Sequence, residues 1–307
     1  MDYREANHAL KGYLAGLLFF LLILPTGAFA TAYSGIVAFG DSLSDNGATT
    51  DGHGYGRATN PGGSVWVEYL AADLNLSNNL DDYAYCGATS NGGAPNLLWQ
   101  VQDYLGDHGG QIASDALVTL WIGGNDFLNM TNPSQAPMII QNALINTLAA
   151  LTSLEQAGAK NILVLNLPDL GATPRMNGDW DPDPNNANDG TKLSSLYNYD
   201  LSLALSGFQG SNSDVNLMSL DVFGIMRLVL ADPGAYGFDN VTGMLSTAGT
   251  TDLTYLFWDS IHPTTQGHEM IADFAYRTVA PVPEPTTMLL LGSGLIGIAG
   301  FRKRLKR

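Results

Sequence analysis

Short unbroken apolar runs alternate along this chain with segments whose apolar positions recur every three or four residues. Residues 35–39, 117–122, 161–167 and 215–220 are runs of the first kind, with 82–85 a shorter candidate. Such runs predict strands buried on both faces. Residues 64–74 carry Val65, Trp66, Tyr69 and Leu70 at helical spacing, and 97–105, 193–208 and 265–279 predict further helices. Residues 137–158 form the clearest amphipathic helix, with Gly158 as its stop. Strand–helix alternation at this spacing predicts one α/β domain, a parallel sheet with helices on both faces. Ligands in such sheets bind beyond the carboxyl ends of the strands. Between two of the elements, 171–190 is a polar segment containing Asp179, Asp181, Asp183, Asn185 and Asp189. Alternate oxygen ligands on a loop suit calcium, but the glycine and glutamate of an EF-hand loop are missing, so the segment reads as a solvated acidic loop.

Both termini break this pattern. Residues 13–24 are apolar and lead into Pro25-Thr-Gly-Ala-Phe-Ala30, the small-residue pattern of a secretory cleavage site. Residues 1–30 are therefore expected to be a signal peptide removed after Ala30, with a retained anchor as the alternative. At the other end, Val282-Pro-Glu-Pro285 precedes an apolar run, 288–301, and the basic cluster Arg302-Lys-Arg-Leu-Lys-Arg307. The run is shorter than the about 20 residues of a comfortable membrane span, though flanking Lys and Arg can snorkel. The basic end would stay in the cytoplasm. A buried helix with a basic tail is the competing explanation. The order of these three parts resembles the PEP-CTERM sorting signal of Gram-negative bacteria. That resemblance implies recognition of 281–307 by an exosortase, with transient anchoring in the inner membrane by the C-terminal helix and delivery to the cell envelope or extracellular matrix.

Composition sharpens the picture once the ends are set aside. Residues 31–285 hold six of the 13 basic residues and 27 of the 29 acids, a net charge of −21. A body this acidic repels nucleic acid and anionic membrane, so membrane contact is expected only through the terminal segments. Cys86 is the sole cysteine, which excludes an intramolecular disulfide; it reads as a small buried side chain, with a reactive thiol as the alternative.

Candidate chemistry sits where apolar runs end. Phe39-Gly-Asp-Ser-Leu-Ser-Asp-Asn46 places Ser42 directly after the first run, with Gly40 allowing a sharp bend. A serine hydroxyl needs a base to become a nucleophile. Trp258-Asp-Ser-Ile-His-Pro-Thr264 supplies His262, with Asp259 three residues earlier, a spacing that lets a carboxylate reach the imidazole Nδ1–H on a turn. Acyl transfer also needs donors for a developing oxyanion. The Ser42 N–H, the Gly87 N–H within Tyr85-Cys-Gly-Ala-Thr-Ser90, and the neutral amide of Asn125 within Gly123-Gly-Asn-Asp126 are candidates. Each motif alone is equally an ordinary turn. His53, His108 and His268 lack such neighbours and read as surface or loop histidines.

Together, in this order, the blocks resemble the GDSL branch of the SGNH hydrolases across residues 35–279. The resemblance implies a flavodoxin-like, three-layer α/β/α sandwich with a five-stranded parallel sheet in strand order 2-1-3-4-5. It implies Ser42, Asp259 and His262 as a triad, Ser42, Gly87 and Asn125 as oxyanion donors, and ester hydrolysis through an acyl-enzyme with no metal and no cofactor. The domain expectation is a hydrolase body over 31–280. The functional expectation is a secreted, surface-sorted esterase or lipase acting on a lipid or acylated glycan ester, processed by signal peptidase and exosortase. The alternatives are an O-deacetylase or acyltransferase acting on extracellular polysaccharide, or a non-catalytic matrix protein on the same scaffold.

Overall fold

The computed structural model describes residues 33–47, 57–130, 132–177 and 184–280. The expected signal peptide, the C-terminal helix with its basic tail, His53, and Asp179, Asp181 and Asp183 all lie outside the described residues.

The sheet is built from β1 (Ile36–Gly40), β2 (Leu80–Asp82), β3 (Leu117–Trp121), β4 (Asn161–Leu165) and β5 (Asn216–Leu220). All pair in parallel, in the order β2-β1-β3-β4-β5. Side chains alternate between its two faces. Val37, Phe39, Val118, Leu120, Ile162 and Val164 enter one apolar core, and Ile36, Ala38, Leu117, Trp121, Leu163 and Leu165 the other. This double burial is why β1 and β3 read as continuous apolar runs.

Helices cover both faces. Against the first pack α2 (Leu97–Asp107) through Val101 and Tyr104, α4 (Ala136–Gln156) through Ile140, Ala143 and Leu151, and α5 (Pro184–Ser211) through Tyr197 and Leu201. Against the second pack α1 (Trp66–Asp73), α6 (Val222–Ala231) and α7 (Thr265–Val279), through residues such as Leu70, Ile225 and Ile271. A five-residue helix, α3 (Gly124–Leu128), directly follows β3. The result is the expected three-layer α/β/α sandwich. Helix α4 is long and apolar enough by composition to cross a membrane, yet its buried stripe is part of the sandwich core. It stops as expected: Gly158 has φ 108°, and a Cβ there would come within 2.9 Å of the Ile112 carbonyl oxygen.

Three features differ from the sequence expectation. Strand β2 is Leu80–Asp82, not 82–85, because both Asp82 carboxylate oxygens accept backbone amides, from Asn46 at 2.9 Å and Ala84 at 3.0 Å, and turn the chain. Helix α5 begins at Pro184, inside the segment read as a loop. Its first turns are poor helix formers, held by tertiary contacts: Gly190 packs closely on Gly171, and Thr191 donates to Asp169 at 2.6 Å. Between β5 and α7, where the pattern predicts nothing, lie α6 and a small parallel sheet of β6 (Asn240–Met244) and β7 (Tyr255–Phe257). These add a third apolar cluster containing Met226, Val229, Phe238, Leu256 and Phe257.

Candidate active site

Strand β1 ends at Gly40, and the chain turns at once. The Asp41 carbonyl accepts the Ser44 and Asp45 amides, both at 3.0 Å, and the Asp41 carboxylate accepts the Leu43 amide at 3.1 Å. Gly40 is required, since a Cβ would run into the Trp121 carbonyl oxygen of β3. Its backbone is gripped by Gln100 of α2, which accepts the Gly40 N–H at 2.9 Å and donates to the Gly40 carbonyl at 2.8 Å. Ser42 therefore sits at the carboxyl edge of the sheet on a rigid turn, 5% exposed.

The facing loop comes from the small sheet. Strand β7 leads into residues 258–262, a loop closed by the Trp258 amide donating to the His262 carbonyl at 2.8 Å. Within it, one Asp259 oxygen accepts the Ile261 and His262 amides at 2.9 and 2.8 Å. The other lies 2.7 Å from His262 Nδ1, and His262 Nε2 lies 2.8 Å from Ser42 Oγ. The carboxylate fixes Nδ1 as the protonated nitrogen, which leaves Nε2 to accept the serine proton. Segments 220 residues apart thus converge on one hydrogen-bonded chain, Asp259–His262–Ser42.

The candidate oxyanion groups arrive on two further loops. Asp45 accepts the Cys86 amide at 2.8 Å and so ties the loop bearing Gly87 to the serine turn. Gly87 has φ +80° with open space around its Cα. Asn125 lies in α3, behind Gly123, whose φ of 117° favours glycine. Its Nδ2 donates to the Ala88 carbonyl at 2.9 Å, which leaves the second amide hydrogen to another acceptor. Asp126 reinforces this joint by accepting both the Ser90 amide, at 2.9 Å, and the Ser90 hydroxyl, at 2.6 Å. Ser42 and Asn125 border the same cavity; Gly87 is not among its lining residues.

Electrostatics follow from this crowding. Burial raises the Asp259 carboxyl, but the His262 bond and charge and two amides outweigh it and hold it below the usual carboxylate range. Burial pushes Asp41 up to about 7, against the pull of the Leu43 amide and the His262 charge. Burial likewise raises Asp126, Asp82 and the Cys86 thiol, the last to about 11, so that cysteine stays protonated. The cavity beside Ser42 measures about 70 Å³ and is walled mainly by apolar residues, drawn from α6, β7 and α7 and from the loops after β1, β3 and β4.

Of the histidines expected at the surface, His108 is exposed and stacks on Tyr104. His268 corrects that expectation: it is fully buried on α7, its Nδ1 accepting the Trp66 amide at 3.3 Å. Its sequence neighbours give no sign of this, because only the register of α7 turns it inward. Three positioning groups also went unread. Gln100 and Asp126 hold the turns described above. Arg175 donates its amide to the Ser260 carbonyl at 2.9 Å and its guanidinium to the Leu128 carbonyl at 3.1 Å, joining the histidine loop to α3. Asp126, adjacent to Asn125, was the one with a sequence signal.

A family model described as GDSL-like Lipase/Acylhydrolase matches residues 36–275, and a PEP-CTERM protein-sorting motif matches residues 281–304. "Lipase 1" of Photorhabdus luminescens is 26% identical, over 85% of this chain and 52% of its own length. An "Acetylesterase" of Thermothelomyces thermophilus is 26% identical, over 82% of this chain and 93% of its own. The chain spans about half the length of the first curated relatives it matches. Among solved structures, an acetylxylan esterase from Geobacillus stearothermophilus shares 17% identity over 80% of this chain and 94% of its own, with a TM-score of 0.47.

Proposed function

We propose a reaction for this chain, which belongs to the GDSL-like lipase/acylhydrolase family: hydrolysis of carboxylic esters through an acyl-enzyme on Ser42. The observation that carries this reading is the 2.8 Å approach of His262 Nε2 to Ser42 Oγ, with His262 oriented by Asp259. His262 takes the Ser42 proton as Oγ attacks the ester carbonyl carbon. Asp259, held ionised by its hydrogen bonds, stabilises the imidazolium that forms. The negative oxygen of the tetrahedral intermediate is met by the Ser42 N–H, the Gly87 N–H and the Asn125 amide. The intermediate collapses, the C–O bond to the alcohol breaks, and His262 returns its proton to the departing oxygen. Water then repeats the sequence on the acyl-enzyme and frees the acid and Ser42.

The sorting motif marks the chain for export and delivery to the envelope. In this reading residues 1–30 are removed by signal peptidase. An exosortase then cleaves near Pro283-Glu284-Pro285, after transient anchoring in the inner membrane by the C-terminal helix. The substrate is an ester met outside the cytoplasm, a lipid or an acylated glycan. Polysaccharide O-deacetylation is the second reading, favoured by the relative named acetylesterase. A non-catalytic scaffold is disfavoured, because it has no use for three side chains from distant segments aligned at hydrogen-bonding distance.

The test is labelling with a fluorophosphonate followed by mass spectrometry, alongside p-nitrophenyl ester turnover by wild type and Ser42→Ala. Adduct at Ser42 and loss of turnover in the variant are expected. Equal turnover by both proteins would remove the enzymatic reading.

A further inference from the structure

We propose that the cavity beside Ser42 is a sized acyl pocket, selective for short unbranched acyl groups centred on butyryl; this rests on Ser42 being the acylated residue. Ser42, Asn125 and His262 border the cavity, with Asp41 and Thr173 as further polar side chains in its lining. Much of the remaining lining is apolar, including Met226 and Val229 of α6 and Leu256 of β7, elements the sequence pattern did not predict, together with Ile271 of α7. These four are each less than a tenth exposed, so this part of the wall is closed to solvent.

Topology explains the direction of the cavity. Ser42 follows β1, Asn125 follows β3, Leu167 follows β4 and α6 follows β5. Since the strands lie side by side in the order β1-β3-β4-β5, the cavity runs across the carboxyl edge of the sheet. Protein interiors are normally packed as tightly as organic crystals, and a void lined by apolar groups stays dry and admits apolar ligands. An open apolar space joined to a reactive hydroxyl is therefore a binding site for hydrocarbon.

The acyl group, and not the alcohol, belongs there. The alcohol must leave after the first step with the His262 proton, so it needs a route to solvent. The acyl group remains bonded to Ser42 and can lie against the closed part of the wall. Size sets the length. The cavity, at about 70 Å³, is roughly half the ~150 Å³ that admits the six carbons of benzene in a protein core. About three carbons beyond the carbonyl fit. Acetyl leaves the apolar wall uncovered, and chains of eight carbons or more must displace Met226 or Val229.

The experiment is a p-nitrophenyl ester series from acetate to palmitate with the full chain, repeated with Val229→Phe and Met226→Ala. The wild type is expected to prefer butyrate over acetate by about tenfold in kcat/KM, from two further methylenes buried, and to fall off by octanoate. Val229→Phe lowers the butyrate-to-acetate ratio, and Met226→Ala moves the optimum to hexanoate or beyond. Turnover that is best on acetate, or a length profile that neither variant shifts, overturns the pocket while leaving the Ser42 mechanism standing. No turnover on any ester and no fluorophosphonate adduct at Ser42 overturn both.

Discussion

Asp259 holds His262 twice, through the backbone amide at 2.8 Å with one carboxylate oxygen and through ring Nδ1 at 2.7 Å with the other. The first bond sets the shape of the loop and the second sets the tautomer. The two roles can be separated by substitution. Asp259→Asn keeps an oxygen for the amides but turns an NH₂ toward Nδ1. The imidazole is then expected to carry its proton on Nε2, facing Ser42, and kcat should fall by about 10³- to 10⁴-fold with a near-native melting temperature. Asp259→Ala removes the amide acceptor as well, so it should lower both activity and melting temperature. Esterase assay and calorimetry on the two variants would show whether the split occurs.

Asn125 is expected to act on the transition state more than on substrate binding. Removing one oxyanion donor costs about 10²- to 10³-fold in kcat. Asn125→Ala should show that loss with KM little changed. Asn125→Asp should be worse, because a carboxylate would face the developing oxyanion in a region where burial already raises Asp41 and Asp126. Steady-state kinetics separate these outcomes, and a change confined to KM would place Asn125 outside the oxyanion site.

The sandwich and the serine–histidine pairing are legible in the sequence for a shared reason. Strands buried on both faces must be continuously apolar, and a reactive turn must follow a strand end, so Ile36–Gly40 with Ser42 reads directly. Helix α6 buries Val222, Ile225, Met226 and Val229 at helical spacing, but Leu228 and Leu230 off that face are apolar too and blur the stripe over only ten residues, and the β6–β7 sheet is too short and open to register. β6 is only partly buried, and β7 is three residues long. The start of α5 escaped because Asn, Asp and Gly disfavour helix, and only contacts with Gly171 and Asp169 hold it. Of those unread segments, α6 and β7 contribute to the cavity wall, so the shape of the cavity was hidden while the Ser42 turn was not. His268 was hidden for the same cause, since its burial depends on helix register against Trp66.

Gln100 is predicted to be the residue on which the serine turn depends most among those that never meet substrate. It is fully buried and bonds both the N–H and the carbonyl of Gly40. Gln100→Leu has nearly the same volume but leaves the Gly40 N–H without its acceptor, while the Gly40 carbonyl keeps the Tyr85 amide at 3.1 Å. An unsatisfied buried group costs about 1–3 kcal/mol, so a stability loss of about that size is expected in urea unfolding. Activity should fall as well, because Ser42 is two residues beyond the released backbone.

Stability should depend on pH from both directions, through two buried groups of opposite character. Burial drives His268 down to about 3, below the 6.5 of a free imidazole. Between those values the unfolded chain binds a proton that the folded chain refuses, so stability is lost as pH falls from about 6.5 toward 3. Asp41 behaves in the reverse sense. Burial drives it up to about 7 from 3.8, so the folded chain holds a proton that the unfolded chain releases, and stability is lost as pH rises from about 4 through 7. Asp41→Asn should therefore be more stable than wild type at pH 8, by up to about 4 kcal/mol at about 1.4 kcal/mol per pKa unit. The difference should shrink to under about 1 kcal/mol near pH 4 and vanish only below about pH 3, where the carboxyl is protonated in both states. Urea midpoints at pH 4, 6 and 8 would test this. A constant difference across all three would mean that the Asp41 charge is not what the buried turn resists.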